Sequence, residues 1–239
     1  MKAFKYIFSV SFALLAASAV FAQQKRDPVE IYGSGKDIVD VKQFDDPVSK
    51  DSTRKWLRAD IILDGKENPD KTATDEREKN WIKDVSLDVV LVYAKPNAKG
   101  EARWKPENWI VLKAKADIIA VKKGKKSIVT FFMPPEIKDS YRLQDSQRMF
   151  FLLELSVMGQ KIELTTKNLK KFMSSALAKR IKNMKQFEKL KQDLAAASSQ
   201  NDGWLILLPN TPFHIQYEEY YGKNHNNAYE IPTYKTAPR

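Results

Sequence analysis

A regular alternation of apolar side chains between Val85 and Tyr93 constrains the fold of this chain more than any other feature. Every second position in this run is apolar, and the first intervening positions are Ser86 and Asp88. A period of two places successive side chains on opposite faces of a β-strand. Since one face is apolar, the strand needs a second layer to cover it.

Six further apolar runs of strand length predict the partners of this strand. They are Trp56 to Leu63, Trp109 to Val121, Ser127 to Met133, Met149 to Val157, Lys161 to Leu164 and Trp204 to Leu208. Turn residues such as Gly65, Gly124 and Gly159 separate several of them. A parallel sheet would need a helix between successive strands, whereas only one strong helix is visible. The pattern therefore predicts a mainly β chain, an antiparallel sandwich of about seven strands.

Within the Trp109 run the alternation changes phase. Ile110 and Leu112 share a face with Ala116, whereas the continuation through Ile118, Ile119 and Val121 changes phase. A change of phase is typical of a β-bulge, which we expect near Asp117.

A single long amphipathic helix over residues 168–198 is predicted just before the last strand. Asn168 can cap its start, and Asn201-Asp202-Gly203 can end it. Apolar residues at steps of three and four form one stripe. The remaining surface is strongly basic, and its candidate partner-binding residues are Lys179, Lys182, Lys185 and Lys189.

Two interpretations of this helix stay open. In one, the apolar stripe packs on the sandwich and the lysines are simply solvated. In the other, the lysines dock on an anionic membrane surface, a polysaccharide or an acidic protein partner. The two are compatible if one face packs inward and the lysines point outward.

The first 22 residues have the pattern of a secretory signal peptide. Lys2 and Lys5 precede an uncharged apolar run, and Ala22 offers a cleavage site before Gln23. The run is short for a membrane span of about 30 Å, although a retained helix stays an alternative. The protein is therefore predicted to be exported, to the periplasm or the cell surface.

The rest of the chain divides by composition into three parts. Residues 23–54 are polar and rich in turn residues, which predicts an extended arm with room for one edge strand at 29–32. Residues 55–209 hold the β-sandwich domain, including the helix. Residues 210–239 form a polar, tyrosine-rich tail.

Charge and cysteine content narrow the functional classes. The chain has 41 Lys and Arg against 30 Asp and Glu, and it has no cysteine. A basic exported protein is attracted to acidic surfaces, whereas export argues against nucleic acid. The lack of cysteine excludes a lipoprotein anchor, a thiol nucleophile and cysteine-ligated metal sites, so the fold must depend on its apolar core.

No arrangement typical of an active site emerges from the sequence. The two histidines, His214 and His225, lack metal-ligand spacing, and Ser34 lacks the strand-turn-helix context of a nucleophile elbow. Glu154 stands in an otherwise uncharged strand, which we attribute to a partly solvated face. Glu218 and Glu219 are neighbours that would point apart in a strand. We therefore expect a non-enzymatic protein without a cofactor or a bound metal.

Aromatic residues supply an alternative function. Trp81, Trp104 and Trp109 are candidates for a platform on which sugar rings stack, with the tyrosines of the tail as further contacts. This interpretation predicts a carbohydrate-binding module with exposed indole rings.

The order of these features resembles secreted immunoglobulin-like β-sandwich proteins that accompany bacterial type IV pilus and type II secretion-like machinery. The resemblance is carried by Val85 to Tyr93, Ile128 to Pro135, Phe150 to Leu164, the basic helix and Trp204 to Pro209. It implies a non-enzymatic exported binding or scaffold component of the cell envelope, with a pilus-like or other envelope protein as partner. Such a protein would recognise partners through sheet edges, loops and the basic helix.

Overall fold

Two β-sheets and a helical layer make up the part of the chain that the structure, a computed structural model, describes. The described residues are 27–33, 38–45, 55–143, 148–165, 168–200, 202–212, 214–215 and 229–235. The predicted signal peptide, Ser34, Glu218, Glu219 and His225 lie outside these ranges.

The first sheet has the order β1-β3-β6-β10, with β2 also paired to β3, and every pairing in it is antiparallel. Its strands are β1 Val29–Tyr32, β2 Val39–Asp45, β3 Lys55–Gly65, β6 Lys126–Met133 and β10 Ile206–Leu207.

The second sheet has the order β11-β5-β4-β7-β8, with β9 also paired to β5. Its strands are β4 Trp81–Ala94, β5 Trp109–Lys122, β7 Arg148–Val157, β8 Gln160–Lys161, β9 Asp202–Trp204 and β11 Thr233–Tyr234. All pairs are antiparallel except that between β5 and β9. The prediction of a mainly β chain with antiparallel sheets is confirmed.

A shared apolar core joins the two sheets. Leu57 and Ile61 of β3 are in the same buried cluster as Leu87 and Leu91 of β4 and Phe131 of β6. The apolar side chains at every second position of β4 thus face this core, as the sequence pattern predicts. Each is at most 1% exposed from Leu87 to Tyr93, so this strand anchors the core.

The predicted arm and tail both contribute strands to the sheets, and the edge strand expected at 29–32 is present as β1. Both β1 and β2 lie along one edge of β3, where Tyr32 pairs with Ile62 and Val39 pairs with Ile61. At the other end of the chain, Tyr234 of β11 pairs with Ile118. The sequence pattern is weak for β2 and β11, in which only Val39 and Tyr234 are buried.

The last predicted strand, Trp204 to Leu208, is divided between the two sheets. Asp202–Trp204 pairs with β5 in the second sheet, whereas Ile206–Leu207 pairs with β6 in the first. Leu205, at the crossing between them, is buried. A single apolar run can therefore supply two short strands, because each half can pack against the apolar face of a different sheet.

The change of phase in β5 lies slightly beyond the predicted position. Ile118 and Val121 are both buried, so the phase changes across residues 119–120. The partner strand changes phase at the same level, since Asp84 has a φ of 53° and stands between Lys83 and Val85, which pair with Ala120 and Ile118. Asp84 in the left-handed region absorbs the irregularity.

The prediction of one long helix over 168–198 is wrong, because the segment forms three helices. They are α3 Leu169–Phe172, α4 Ser175–Ala178 and α5 Met184–Gln200, after α1 Glu76–Lys79 and α2 Pro135–Ser140. Met173 is extended and bridges to Leu152 of β7. Ser174 then caps α4 by accepting a hydrogen bond from the Leu177 N–H, and the Asn183 side chain accepts one from the Gln186 N–H.

The apolar residues of the three helices keep the spacing expected for one helix, because all three helices pack on the same face of the second sheet. Their buried residues pack on Val92, Trp109, Val111, Phe150 and Leu152. The residues that this segment contributes are Leu169, Met173, Leu177, Phe187, Leu190, Leu194 and Ala197. This end of the second sheet is therefore apolar on both faces. Among the described residues no helix combines the length and hydrophobicity needed to cross a membrane.

Candidate docking surface

The four lysines predicted to bind a partner all lie on the outside of the helical layer. Lys179 follows α4, Lys182 lies in the connection to α5, and Lys185 and Lys189 are four residues apart in α5. All four are exposed. We call Lys179, Lys182, Lys185 and Lys189 the lysine surface.

Neighbouring cations of the same segment are neutralised by acids of the sandwich. The pairs are Lys171 with Glu30 at 3.1 Å, Arg180 with Glu101 at 3.0 Å and Lys191 with Glu154 at 2.9 Å. Each joins the helical layer to another part of the fold. These cations therefore help to fix the helices.

The lysine surface differs from these neighbours in its lack of acidic partners. None of its four lysines forms an ion pair with any of the described residues. Met184, which lies among them, is 42% exposed, whereas Phe187 is buried against the sheet. The arrangement thus offers positive charge outward while the apolar side of α5 is already covered.

Glu154 has a structural role. Its Oε1 is 2.9 Å from Lys191 Nζ and its Oε2 is 2.8 Å from Lys161 Nζ. Burial alone would raise the pKa of Glu154, but these two charged hydrogen bonds outweigh it and lower the pKa. The carboxylate is therefore held ionised between a strand and a helix.

Trp109 and Trp104 are not exposed platforms, which corrects that part of the aromatic prediction. Trp109 is 3% exposed, its Nε1 donates a hydrogen bond to the Arg103 carbonyl, and its ring meets Phe150 edge-on. Trp104 stacks on the other side of the cluster, with its ring centroid 5.8 Å from that of Phe150. The Arg180 guanidinium lies 3.9 Å from the Trp104 ring centroid. Both indoles thus help to seat the helices.

Trp81 lies far from the other two indoles. It pairs with Lys122, whereas Ala94, at the other end of β4, pairs with Trp109. At about 3.3 Å per residue the two ends of this strand are roughly 43 Å apart. The three tryptophans therefore form no common platform. Trp81 is the only exposed one of the three, with 40% of its surface accessible to solvent.

Within the described ranges, no group of three or more His, Asp or Glu side chains is arranged to hold a metal ion. His214 is partly buried, and its Nδ1 lies 3.3 Å from the Thr211 carbonyl oxygen. Sequence reasoning identified the lysines of the surface but not which cations would be neutralised, because their acidic partners are 37 to 141 residues away in the chain.

Comparison with known proteins supports the fold alone. No family model and no curated protein matches this chain. The crystal structure of a protein from Akkermansia muciniphila is similar, with a TM-score of 0.55 and 10% sequence identity. The alignment covers 87% of this chain and 93% of that chain. At this identity the likeness shows a common architecture and carries no function.

Proposed function

We propose that this protein is an exported, non-enzymatic binding or scaffold component of the cell envelope, which uses the lysine surface to dock on an acidic protein. The single observation that supports this most is the contrast within one segment. Lys171, Arg180 and Lys191 are paired with acids of the same molecule, whereas the four lysines of the surface have no such partner among the described residues. Complementary charge speeds association and sets its orientation.

A protein partner fits the lysine surface better than a membrane does. A helix that lies in a membrane interface buries its apolar face among the lipids. Here Phe187, Leu190 and Leu194 are at most 6% exposed because they pack on the second sheet. Only the charged side of α5 is free for contact, which favours a surface with acidic side chains.

The immunoglobulin-like form of the sandwich belongs to the same proposal. The order β1-β3-β6 in one sheet and β5-β4-β7-β8 in the other corresponds to strands A-B-E and C′-C-F-G of such folds. Strand β2 is then an insertion between the first two strands of this frame, and the helical layer with β9, β10 and β11 is an addition after its last strand. A fold of this kind carries many unrelated functions, so the pilus-like or secretion-related role depends on the resemblance noted in the sequence.

The proposal is tested with a charge reversal on the lysine surface. The variant Lys182→Glu/Lys185→Glu/Lys189→Glu should lose most of its salt-dependent binding to immobilised poly-L-glutamate, with an unchanged melting temperature. The matched control is Lys71→Glu/Lys99→Glu/Lys105→Glu, which makes the same change in net charge at exposed sites elsewhere. Equal losses in both variants would show that net charge alone governs binding and would reject the surface.

A second arm separates a protein partner from a membrane. Vesicles that contain anionic phosphatidylglycerol should bind weakly and without preference between the two triple variants. Strong vesicle binding that only the Lys182, Lys185 and Lys189 reversal abolishes would contradict the protein partner and assign the surface to lipid.

A further inference from the structure

A groove beside Trp81 lies at the end of the sandwich away from the lysine surface. It has a volume of about 350 Å³ and a floor of Trp81, Ile119 and Ala120, with Arg77 and Lys83 among its walls. Trp81 is 40% exposed and Ile119 is 47% exposed. The volume is in the range of small-ligand sites, and two adjacent apolar side chains are left in contact with solvent.

The backbone fixes the position of the indole beside a basic hairpin. Trp81 pairs with Lys122 across the β4–β5 ladder, and the Lys123 N–H donates a hydrogen bond of 2.8 Å to the Asn80 carbonyl. The hairpin between β5 and β6 has the sequence Lys122-Lys123-Gly124-Lys125-Lys126. Lys122 Nζ lies 5.8 Å from the Trp81 ring centroid. The Lys122 ammonium is thus held next to the ring by main-chain contacts.

The charges around the groove are only partly compensated. Lys83 Nζ is 3.0 Å from Glu78, and Lys235 Nζ is 2.6 Å from Asp84, so both acids of the groove have a cation. Arg77 forms no ion pair with the residues that the structure describes, and Lys122, directly opposite Trp81, has only Glu230 at 3.8 Å. The cations of this group, Arg77, Lys83, Lys122 and Lys235, therefore exceed its acids, Glu78, Asp84 and Glu230, by one charge.

We infer that this groove binds an anionic polysaccharide, with a sugar ring stacked on Trp81 and its acidic substituents at Arg77 and Lys122. The apolar face of a pyranose matches the flat indole, and its hydroxyl rim matches the polar walls. Carboxylate or sulfate groups on the polysaccharide balance the excess positive charge around the groove. A neutral sugar would leave Arg77 without a counter-charge, and an acyl chain would leave the polar walls without partners.

This site is separate from the docking surface, so the two proposals fail independently. Trp81 begins β4 and pairs with Lys122. The lysine surface lies at the other end of this strand, where Ala94 pairs with Trp109 and α5 packs on Trp109. A variant of one surface leaves the other intact and serves as its control.

The test measures binding of polygalacturonate to the full chain, with dextran as the neutral probe. Trp81→Ala should weaken polygalacturonate binding about tenfold, the usual loss for an aromatic anchor. Trp81→Tyr should retain part of the affinity because it keeps a stacking face. Arg77→Glu/Lys122→Glu should weaken binding and reduce its dependence on salt, whereas the Lys182, Lys185 and Lys189 reversal should leave it unchanged.

Three outcomes would overturn the inference. The first is equal affinity of the wild-type protein for dextran and polygalacturonate. The second is unchanged binding in Trp81→Ala, whose fold is checked by circular dichroism. The third is a loss of binding in the lysine-surface variant that matches the loss in Arg77→Glu/Lys122→Glu.

Discussion

The ammonium group of Lys191 lies 2.9 Å from Glu154 Oε1, which joins the longest helix to the central strands of the second sheet. Glu154 stands on β7 directly opposite Asp88 of β4. Like charges across a ladder repel each other, and Lys191 and Lys161 provide the compensation. The fold thus uses some of its excess lysines internally, whereas the neighbouring four of the lysine surface form no ion pair with the described residues.

The first prediction concerns Glu154 and pH. Because its pKa is lowered in the folded state, its ionised form stabilises the fold above its usual value of 4.5, and this contribution is lost as the pH falls through the lowered pKa. Glu154→Gln should cost about 1–2 kcal/mol at pH 7. Urea unfolding at pH 7 and pH 3 checks this, since the difference between wild type and variant should shrink at pH 3. Glu101→Gln, on a far more exposed pair, should change little.

Asp60 should show the opposite dependence on pH. Burial raises its pKa, and the nearby Arg58 cation and the hydrogen bond from Thr130 do not fully offset this. A raised pKa means that the folded protein holds the proton more tightly, so wild-type stability falls as the pH rises from 3.8 through the folded pKa. Asp60→Asn should remove this fall and leave a constant loss from the broken Arg58 pair. Unfolding free energies from pH 3 to pH 7 that decline equally in both proteins would contradict the prediction.

Phe187 should be essential for the helical layer. Its side chain is 1% exposed within the cluster that joins α5 to the second sheet. Phe187→Ala should lower the free energy of unfolding by about 3–5 kcal/mol, as expected for a large cavity. Met184→Ala, one turn earlier and 42% exposed, is the matched control and should change stability by less than about 0.5 kcal/mol. Chemical denaturation measures both.

Two glycines of the same corner should respond differently to asparagine. A Cβ at Gly65 would lie 2.5 Å from the Lys122 carbonyl oxygen, whereas one at Gly124 would meet nothing within 4 Å. Gly124 has a φ of 73°, a conformation that asparagine tolerates. Gly124→Asn should therefore cost well under about 1 kcal/mol, and Gly65→Asn about 1–3 kcal/mol. Similar melting temperatures for the two variants would refute the close approach at Gly65.

Much of the fold could be predicted from local patterns. The alternation from Val85 to Tyr93 defines a strand, and the stretches that became β3, β5, β6 and β7 were each recognised as one apolar run. These strands are central, so their burial leaves a clear trace in the sequence. The edge strands β2 and β11 leave little trace because water covers much of their surface, and their pairing depends on main-chain groups common to all residues.

The candidate site was predicted only in part, for a related reason. The lysines of α4 and α5 were visible as a basic surface, but Lys191 and Lys189 look alike in sequence. Glu154 distinguishes them by accepting Lys191, and that contact exists only after β7 and α5 pack together. Similarly, three tryptophans look equally available until β4 separates Trp81 from Trp109 by its length.

The sequence by itself determined the elements whose side chains repeat with a regular period, because burial on one face imposes that period on the chain. Only the tertiary structure decided where the helical segment breaks, which lysines are neutralised and which indole stays exposed. Those features depend on contacts between residues far apart in the chain. The local pattern of side chains does not show which distant charges or rings will come into contact.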